Sequence, residues 1–134
     1  GHWNYRVSCN NLGYMGRLCY AQNVMGVTGA CLMMKKALFT ELGGLDESFA
    51  VSLNDVDLCV RAWKAGYVNV FTPFAELYHF ESISRGLDNT GEKAARYDRE
   101  SEAFRTKWKE VLETGDPYYN VNFSLDRSDF ALKI

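Results

Sequence analysis

The clearest apolar periodicity falls in residues 55–65, where Val56, Cys59, Val60 and Trp63 recur at three- and four-residue spacings and Gly66 follows as a terminator. This pattern predicts a helix with Asn54 as its natural cap. A longer and more polar period covers residues 92–114, with Ala95, Phe104, Trp108, Val111 and Leu112 in a narrow stripe that Gly115 and Asp116-Pro117 end. Residues 36–42 suit a short helix closed by a left-handed residue at Gly43-Gly44. Strand signals are sparser. Residues 24–34 read as a buried strand through Val24, Val27, Thr28, Cys31 and Leu32, interrupted by Gly26 and by Gly29, which marks a close backbone approach. Residues 67–72 alternate until Pro73, and residues 76–80 read as a further extended piece. The first 23 residues have loop composition, residues 82–90 form a polar loop, and the tail from Tyr118 is irregular and aromatic.

The resulting order of strand, helix, helix, strand, strand, long helix and tail is α/β, with few strands and no internal repeat. A glycine-rich phosphate turn in a first βαβ unit is missing, so the chain is expected to be part of a larger sheet. Its 134 residues, 47% hydrophobic, suffice for one core and predict a single partial domain: a lead-in over 1–23, a motif-bearing core over 24–86, and a long helix and tail over 87–134. The start at Gly1-His2 without a methionine predicts an artificial amino-terminal boundary with those residues vector-derived.

A formal net charge of −2 with both signs interspersed gives no basic field for nucleic acid. Cys9, Cys19, Cys31 and Cys59 form no C-x-x-C pair, which predicts reduced, mostly buried thiols in a cytoplasmic protein rather than zinc or disulfides. No run approaches the roughly 20 apolar residues of a membrane span, and no signal-peptide pattern is present, so the chain reads as soluble.

Candidate chemistry centres on Asn54-Asp55-Val56-Asp57. Successive helical residues rotate by about 100°, so the two aspartates diverge and cannot share one task. Asp57 precedes Arg61 by four residues, the spacing of an intrahelical ion pair. Asp55 has no such partner, and the helix dipole favours its ionised form, as a general base needs; capping the helix is the competing role. His79 lies near a strand end and is either structural or a metal ligand, in which case further carboxylates must come from elsewhere. Arg85, before Gly86, is either a phosphate contact or a solvated loop residue. A metal-dependent phosphoester hydrolase using Asp55, Asp57 and His79 is disfavoured by the divergence of the two aspartates. A non-catalytic glycan- or protein-binding module remains open.

Five motifs in order, Val27-Thr28-Gly29-Ala30-Cys31-Leu32, Gly43-Gly44-Leu45-Asp46-Glu47, Asn54 to Cys59, Ala65-Gly66-Tyr67 and Leu77 to Gly86, resemble family 2 glycosyltransferases. The tail from Asp116 to Leu125 is similar to that of bacterial rhamnosyltransferase-like members that build surface polysaccharides. The resemblance implies the carboxyl-terminal half of a GT-A fold, with the nucleotide-binding half and its Asp-x-Asp metal motif absent. It implies that Asp55 is the base for an inverting transfer, with Asn54, in place of the commoner acidic residue, and Asp57 beside it as substrate contacts. Thr28 and Gly29 would line the cleft near the sugar, Arg85 would contact the donor, and His79 would bind magnesium or manganese. The implied partners are a nucleotide-sugar donor, a glycan or lipid-linked acceptor and the missing amino-terminal half. The expected location is cytoplasmic, peripheral at the inner face of the membrane. The chain alone is expected to bind no cation, to be inactive and to self-associate.

Overall fold

The structure, a computed structural model, describes Ser8 and residues 10–77, 91–127 and 129–133. It is mixed α/β, with two strands and four α-helices among these residues. Strands β1 (Gln22–Val24) and β2 (Asn69–Phe71) pair antiparallel, Asn23 opposite Val70. The helices are α1 (Lys36–Glu41), α2 (Asn54–Lys64), α3 (Gly91–Lys107) and α4 (Lys109–Thr114). The extended piece expected over 76–80 falls largely outside the described residues, as does the polar loop over 82–90.

Helix α2 is the centre of the molecule. Its Asp57, Leu58, Cys59, Val60 and Ala62 are all buried, more than one apolar stripe would provide, because chain packs on several sides of it. On one side runs the segment that follows β1. Asn69 of β2 donates from Nδ2 to the carbonyls of Met25 (2.9 Å) and Cys59 (3.0 Å), stitching sheet to helix. On the other side Phe49, Val60 and Phe104 form the core, joined by Leu53, Val56, Trp108 and Val111. The Phe49 and Phe104 rings meet edge to face at 6.0 Å, a geometry favoured by the ring quadrupoles.

Several expectations need correction. The strand expected over 24–34 ends at Val24, and Gly29–Cys31 forms a 3-10 turn, its Thr28 hydroxyl accepting from Ala30 N–H at 3.4 Å. The Gly29 N–H bonds to a side chain of α2, so it is not available to a strand ladder. Asn54 is not the cap of α2. Leu53, with φ +65°, occupies that position, and Asn54 takes the Asp55 N–H at 2.7 Å from inside the first turn. The long helix is broken at Trp108 (φ −110°, ψ 23°) into α3 and α4. The thiols are not mostly buried: among those described only Cys59 is, while Cys19 and Cys31 are exposed.

The end of α1 follows expectation. Gly43 and Gly44 take φ of +82° and +75°, and their N–H groups return to the carbonyls of Thr40 and Phe39, satisfying helix-end acceptors at little steric cost. The aromatic tail is more ordered than its composition suggests. Tyr119, Phe123 and Phe130 gather with Tyr14 of the lead-in, ring centroids 5.2–5.7 Å apart, and the Arg17 guanidinium lies 5.0 Å from the centre of the Phe130 ring. Among the described residues no helix is long and apolar enough to cross a membrane.

One buried charge ties these parts together. Asp57 has no exposure to solvent, and its carboxylate accepts from Arg61 Nε (2.7 Å), Trp108 Nε1 (2.9 Å) and Lys107 Nζ (2.6 Å). The Arg61 ion pair expected from i,i+4 spacing is therefore present. Arg61 then spends its remaining nitrogens on the carbonyls of Leu42 (2.6 Å) and Gly44 (2.8 Å) after α1, a use suited to a planar guanidinium. Removing one partner of a buried ionic network strands the others, at about 3–5 kcal/mol. Asp57→Ala should lower unfolding free energy by that order in urea titration, whereas a change within about 0.5 kcal/mol would deny Asp57 this role.

Candidate functional site

The first turn of α2, the Gly29–Cys31 turn and the loop between α1 and α2 enclose an open cleft of about 510 Å³. Thr28, Gly29, Asn54 and Asp55, all expected from sequence, line it together. Its remaining wall is largely apolar, with Leu32, Phe39, Leu45, Ala50 and Val51. Asp55 supplies the only carboxylate among the described lining residues.

The geometry around Asp55 explains the glycine at position 29. Its Oδ2 accepts the Gly29 N–H at 2.7 Å and its Oδ1 the Val56 N–H at 2.8 Å. Both donors are backbone amides, so the carboxylate is oriented by groups that side-chain motion cannot withdraw. A methyl group at position 29 would stand 3.1 Å from Asp55 Cβ and 3.3 Å from Oδ2, so the close approach read from the sequence is an approach to this side chain. A carboxylate oxygen accepts more than one hydrogen bond, and each Asp55 oxygen retains capacity for a hydroxyl proton from the cleft.

Asp57 does not join the site. The helix turns it away from Asp55, as the 100° rotation demands, and it is sealed by Arg61, Trp108 and Lys107. A direct substrate contact, expected for it from the family resemblance, is closed off by complete burial. The hydrolase arrangement with Asp55 and Asp57 on one ion fails for the same reason. His79 and Arg85 lie outside the described residues. Among the described residues no group of three or more His, Cys, Asp or Glu could hold a metal ion.

Sequence reasoning missed the supports behind the cleft. Asp46 of the α1–α2 loop receives Lys107 Nζ at 2.7 Å, and its other oxygen accepts from the Ser48 N–H (2.9 Å) and hydroxyl (2.6 Å). Lys107, chiefly, together with Ser48, holds the Asp46 carboxyl well below the usual carboxylate range. Burial works against the Lys107 charge, but its bonds to Asp46 and Asp57 outweigh that and raise its pKa above the ordinary lysine value. A depressed carboxyl pKa gives stability that is lost only as pH falls through it. A raised ammonium pKa gives stability lost only as pH rises through it. The Asp46–Lys107 contact thus spans the whole interval between the ordinary aspartate and lysine pKa values. Only the Asp-x-Ser turn at 46–48 signalled it in sequence. Burial also pushes the Cys59 thiol up, leaving it a neutral packing group against Val27.

The chain is 46% identical over 98% of its length to an uncharacterized protein y4gI of Sinorhizobium fredii, of which it covers 14%. It is 36% identical over 88% of its length to an O-antigen biosynthesis protein RfbC of Myxococcus xanthus, covering 9% of that protein. A 71-residue stretch is 37% identical to an N-acetylglucosaminyl-diphospho-decaprenol L-rhamnosyltransferase of Mycobacterium tuberculosis, covering 53% of the chain and 23% of that enzyme. The chain therefore shares sequence with glycosyltransferase-related proteins and spans less than a quarter of the length of these curated relatives. No protein-family model matches it, and no solved structure does.

Gly29→Ala tests the contact on which the site geometry rests. The new methyl group should displace the Asp55 carboxylate, cost about 1 kcal/mol through the weakened hydrogen bond, and speed amide exchange at position 29. Unchanged exchange there would mean that Asp55 does not depend on a bare backbone.

Proposed function

We propose that this chain is the acceptor-side part of an inverting glycosyltransferase of family 2, with a GT-A fold completed by sequence outside it. The full protein moves a sugar from a nucleotide-sugar donor to a hydroxyl of a glycan or lipid-linked acceptor. One observation carries this reading: Asp55, the only carboxylate among the described residues of the cleft, is aimed by the Gly29 and Val56 N–H groups. The names of two relatives, an O-antigen biosynthesis protein and a rhamnosyltransferase, support the reaction class.

In the reaction so assigned, the acceptor hydroxyl gives its proton to an Asp55 oxygen as its own oxygen bonds to the donor's anomeric carbon. The bond from that carbon to the nucleoside diphosphate breaks on the opposite face, and the diphosphate leaves with the electron pair, inverting the centre. Asp55 lowers the barrier as a general base, an effect of about 10²- to 10⁴-fold. The Gly29 and Val56 amides orient it; Thr28 and Asn54 face the same cleft.

The divalent cation that the family resemblance implies does not find a ligand set among the described residues. Its ligands, His79 among them, would belong to residues outside that set, and no step above passes through it. When bound, such an ion stabilises charge on the departing diphosphate. Arg85 is proposed for the same diphosphate. The protein is proposed to work in the cytoplasm, peripheral at the inner face of the membrane.

A second reading has one observation in its favour. Both Asp55 oxygens already accept backbone N–H groups, which would suffice for a residue that only braces a glycan- or protein-binding module. Asp55→Asn in the full-length protein separates the two. Turnover should fall by at least about 10²-fold with donor binding retained in calorimetry. Near-normal turnover would remove Asp55 from the chemistry, and acceptor binding with no turnover in the unaltered protein would favour the binding module.

The chain by itself is expected to lack transferase activity. Val68, Val70, Phe74 and Leu77 expose apolar surface around and beyond β2, and such a patch favours association. Light scattering should show concentration-dependent self-association; a monodisperse monomer would count against it.

A further inference from the structure

The part of the cleft wall formed by the α1–α2 loop is backed by a single face of α3. Glu100, Phe104 and Lys107 stand at i, i+4 and i+7, which places them on one side of the helix. They meet residues of the α1–α2 loop spaced three apart and in reverse order. Glu100 Oε2 accepts the Ser52 N–H at 2.7 Å, the Phe104 ring packs on Phe49, and Lys107 Nζ bonds Asp46 Oδ2 at 2.7 Å. The loop residues between those anchors, Ala50 and Val51, together with Leu45, line the cleft. Asp46, Phe49 and Ser52 are thus gripped by α3, while Leu45, Ala50 and Val51 beside them face the site.

The grip is chemically mixed. Glu100 is nearly buried and also faces the Arg96 guanidinium at 3.8 Å. Phe49 and Phe104 belong to the core. Lys107 bonds Asp57 as well as Asp46 and lies 5.4 Å from the centre of the Phe49 ring. An ammonium shared by two carboxylates couples the loop to α2, whose first turn carries Asp55, so loop and base are referenced to the same atoms. The geometry points to Glu100 and Lys107 as positioning residues: α3 fixes the apolar wall of the cleft at a set distance from Asp55 and so determines which acceptor fits. This rests on the proposed transferase reading for its functional part, and on the structure alone for its mechanical part.

Two arms test it and separate those parts. Asp46→Asn removes the charge that Lys107 holds but keeps an oxygen for Ser48, and Asp46 is on the surface side of the network, so the fold should survive. In the chain as it stands, amide exchange at Ser48 and Phe49 should accelerate about tenfold while α2 amides keep their protection. Glu100→Gln, which retains an acceptor oxygen, should leave the Ser52 amide largely protected, whereas Glu100→Ala should not. In the full-length protein, Asp46→Asn should raise acceptor KM about tenfold, with kcat within about twofold and donor KM unchanged. Unaltered exchange at Ser48 and Phe49, or equal acceleration throughout α2, would overturn the mechanical part. A fall in kcat with acceptor KM unchanged would overturn the assignment to acceptor fit. If the unaltered full-length protein transfers no sugar, the transferase reading fails and the acceptor-fit assignment falls with it, while the exchange arm still decides whether α3 holds the wall.

Discussion

A carboxylate with no access to water must find its whole solvation inside the protein, and Asp57 does so with one donor from its own helix and two from the distant α3–α4 junction. Burying such a charge is costly unless it is paired and hydrogen-bonded. Meeting that demand brings Lys107 and Trp108, at the junction of α3 and α4, against α2. Arg61, held by the same carboxylate, carries the constraint to the carbonyls that follow α1. The loop, the central helix and the carboxyl-terminal helices are therefore arranged around one oxygen pair. The interruption of the helix falls at the residue whose indole N–H reaches this carboxylate.

The two aspartates of the Asn54–Asp57 motif divide their labour by helical rotation. Asp57 faces inward and is consumed by structure, while Asp55 faces the cleft and is held by the Gly29 and Val56 amides. The same short motif thus fixes a helix in place and presents a carboxylate to the cleft on its opposite side. Gly29 completes the arrangement, because a side chain there would crowd the carboxylate at 3.1–3.3 Å as it approaches that backbone N–H.

Features decided within a turn or two of the chain were legible in the sequence. The extent of α2, the Gly43-Gly44 closure, the Asp57–Arg61 pair and the close approach at Gly29 all follow from local spacing or from the absence of a side chain. Features decided by partners far along the chain were not. Nothing near Lys107 announces that it will bond Asp46 and Asp57, and a tryptophan in an apolar stripe reads as packing until a buried acceptor is found for its N–H. The strand expected over 24–34 was cut short for a similar reason, since the Gly29 N–H bonds a helix side chain. The α/β class was anticipated, and Thr28, Gly29, Asn54 and Asp55, named from sequence, come to line one cleft, whose apolar wall was not foreseen.

The aromatic cluster of Tyr14, Tyr119, Phe123 and Phe130 bears on the order in which the molecule assembles. Its members come from segments separated by most of the described chain, and α2, α3 and α4 lie between them. Joining ends across so long an intervening loop carries an entropic cost before any ring contact repays it. That cost shrinks once the helices have condensed around Asp57 and drawn the flanking segments together. The cluster is accordingly expected to close late, and contacts absent from the folding transition state act mainly by slowing escape from the native state. Its rings would then act chiefly on how long the native fold persists, with little bearing on how quickly it forms.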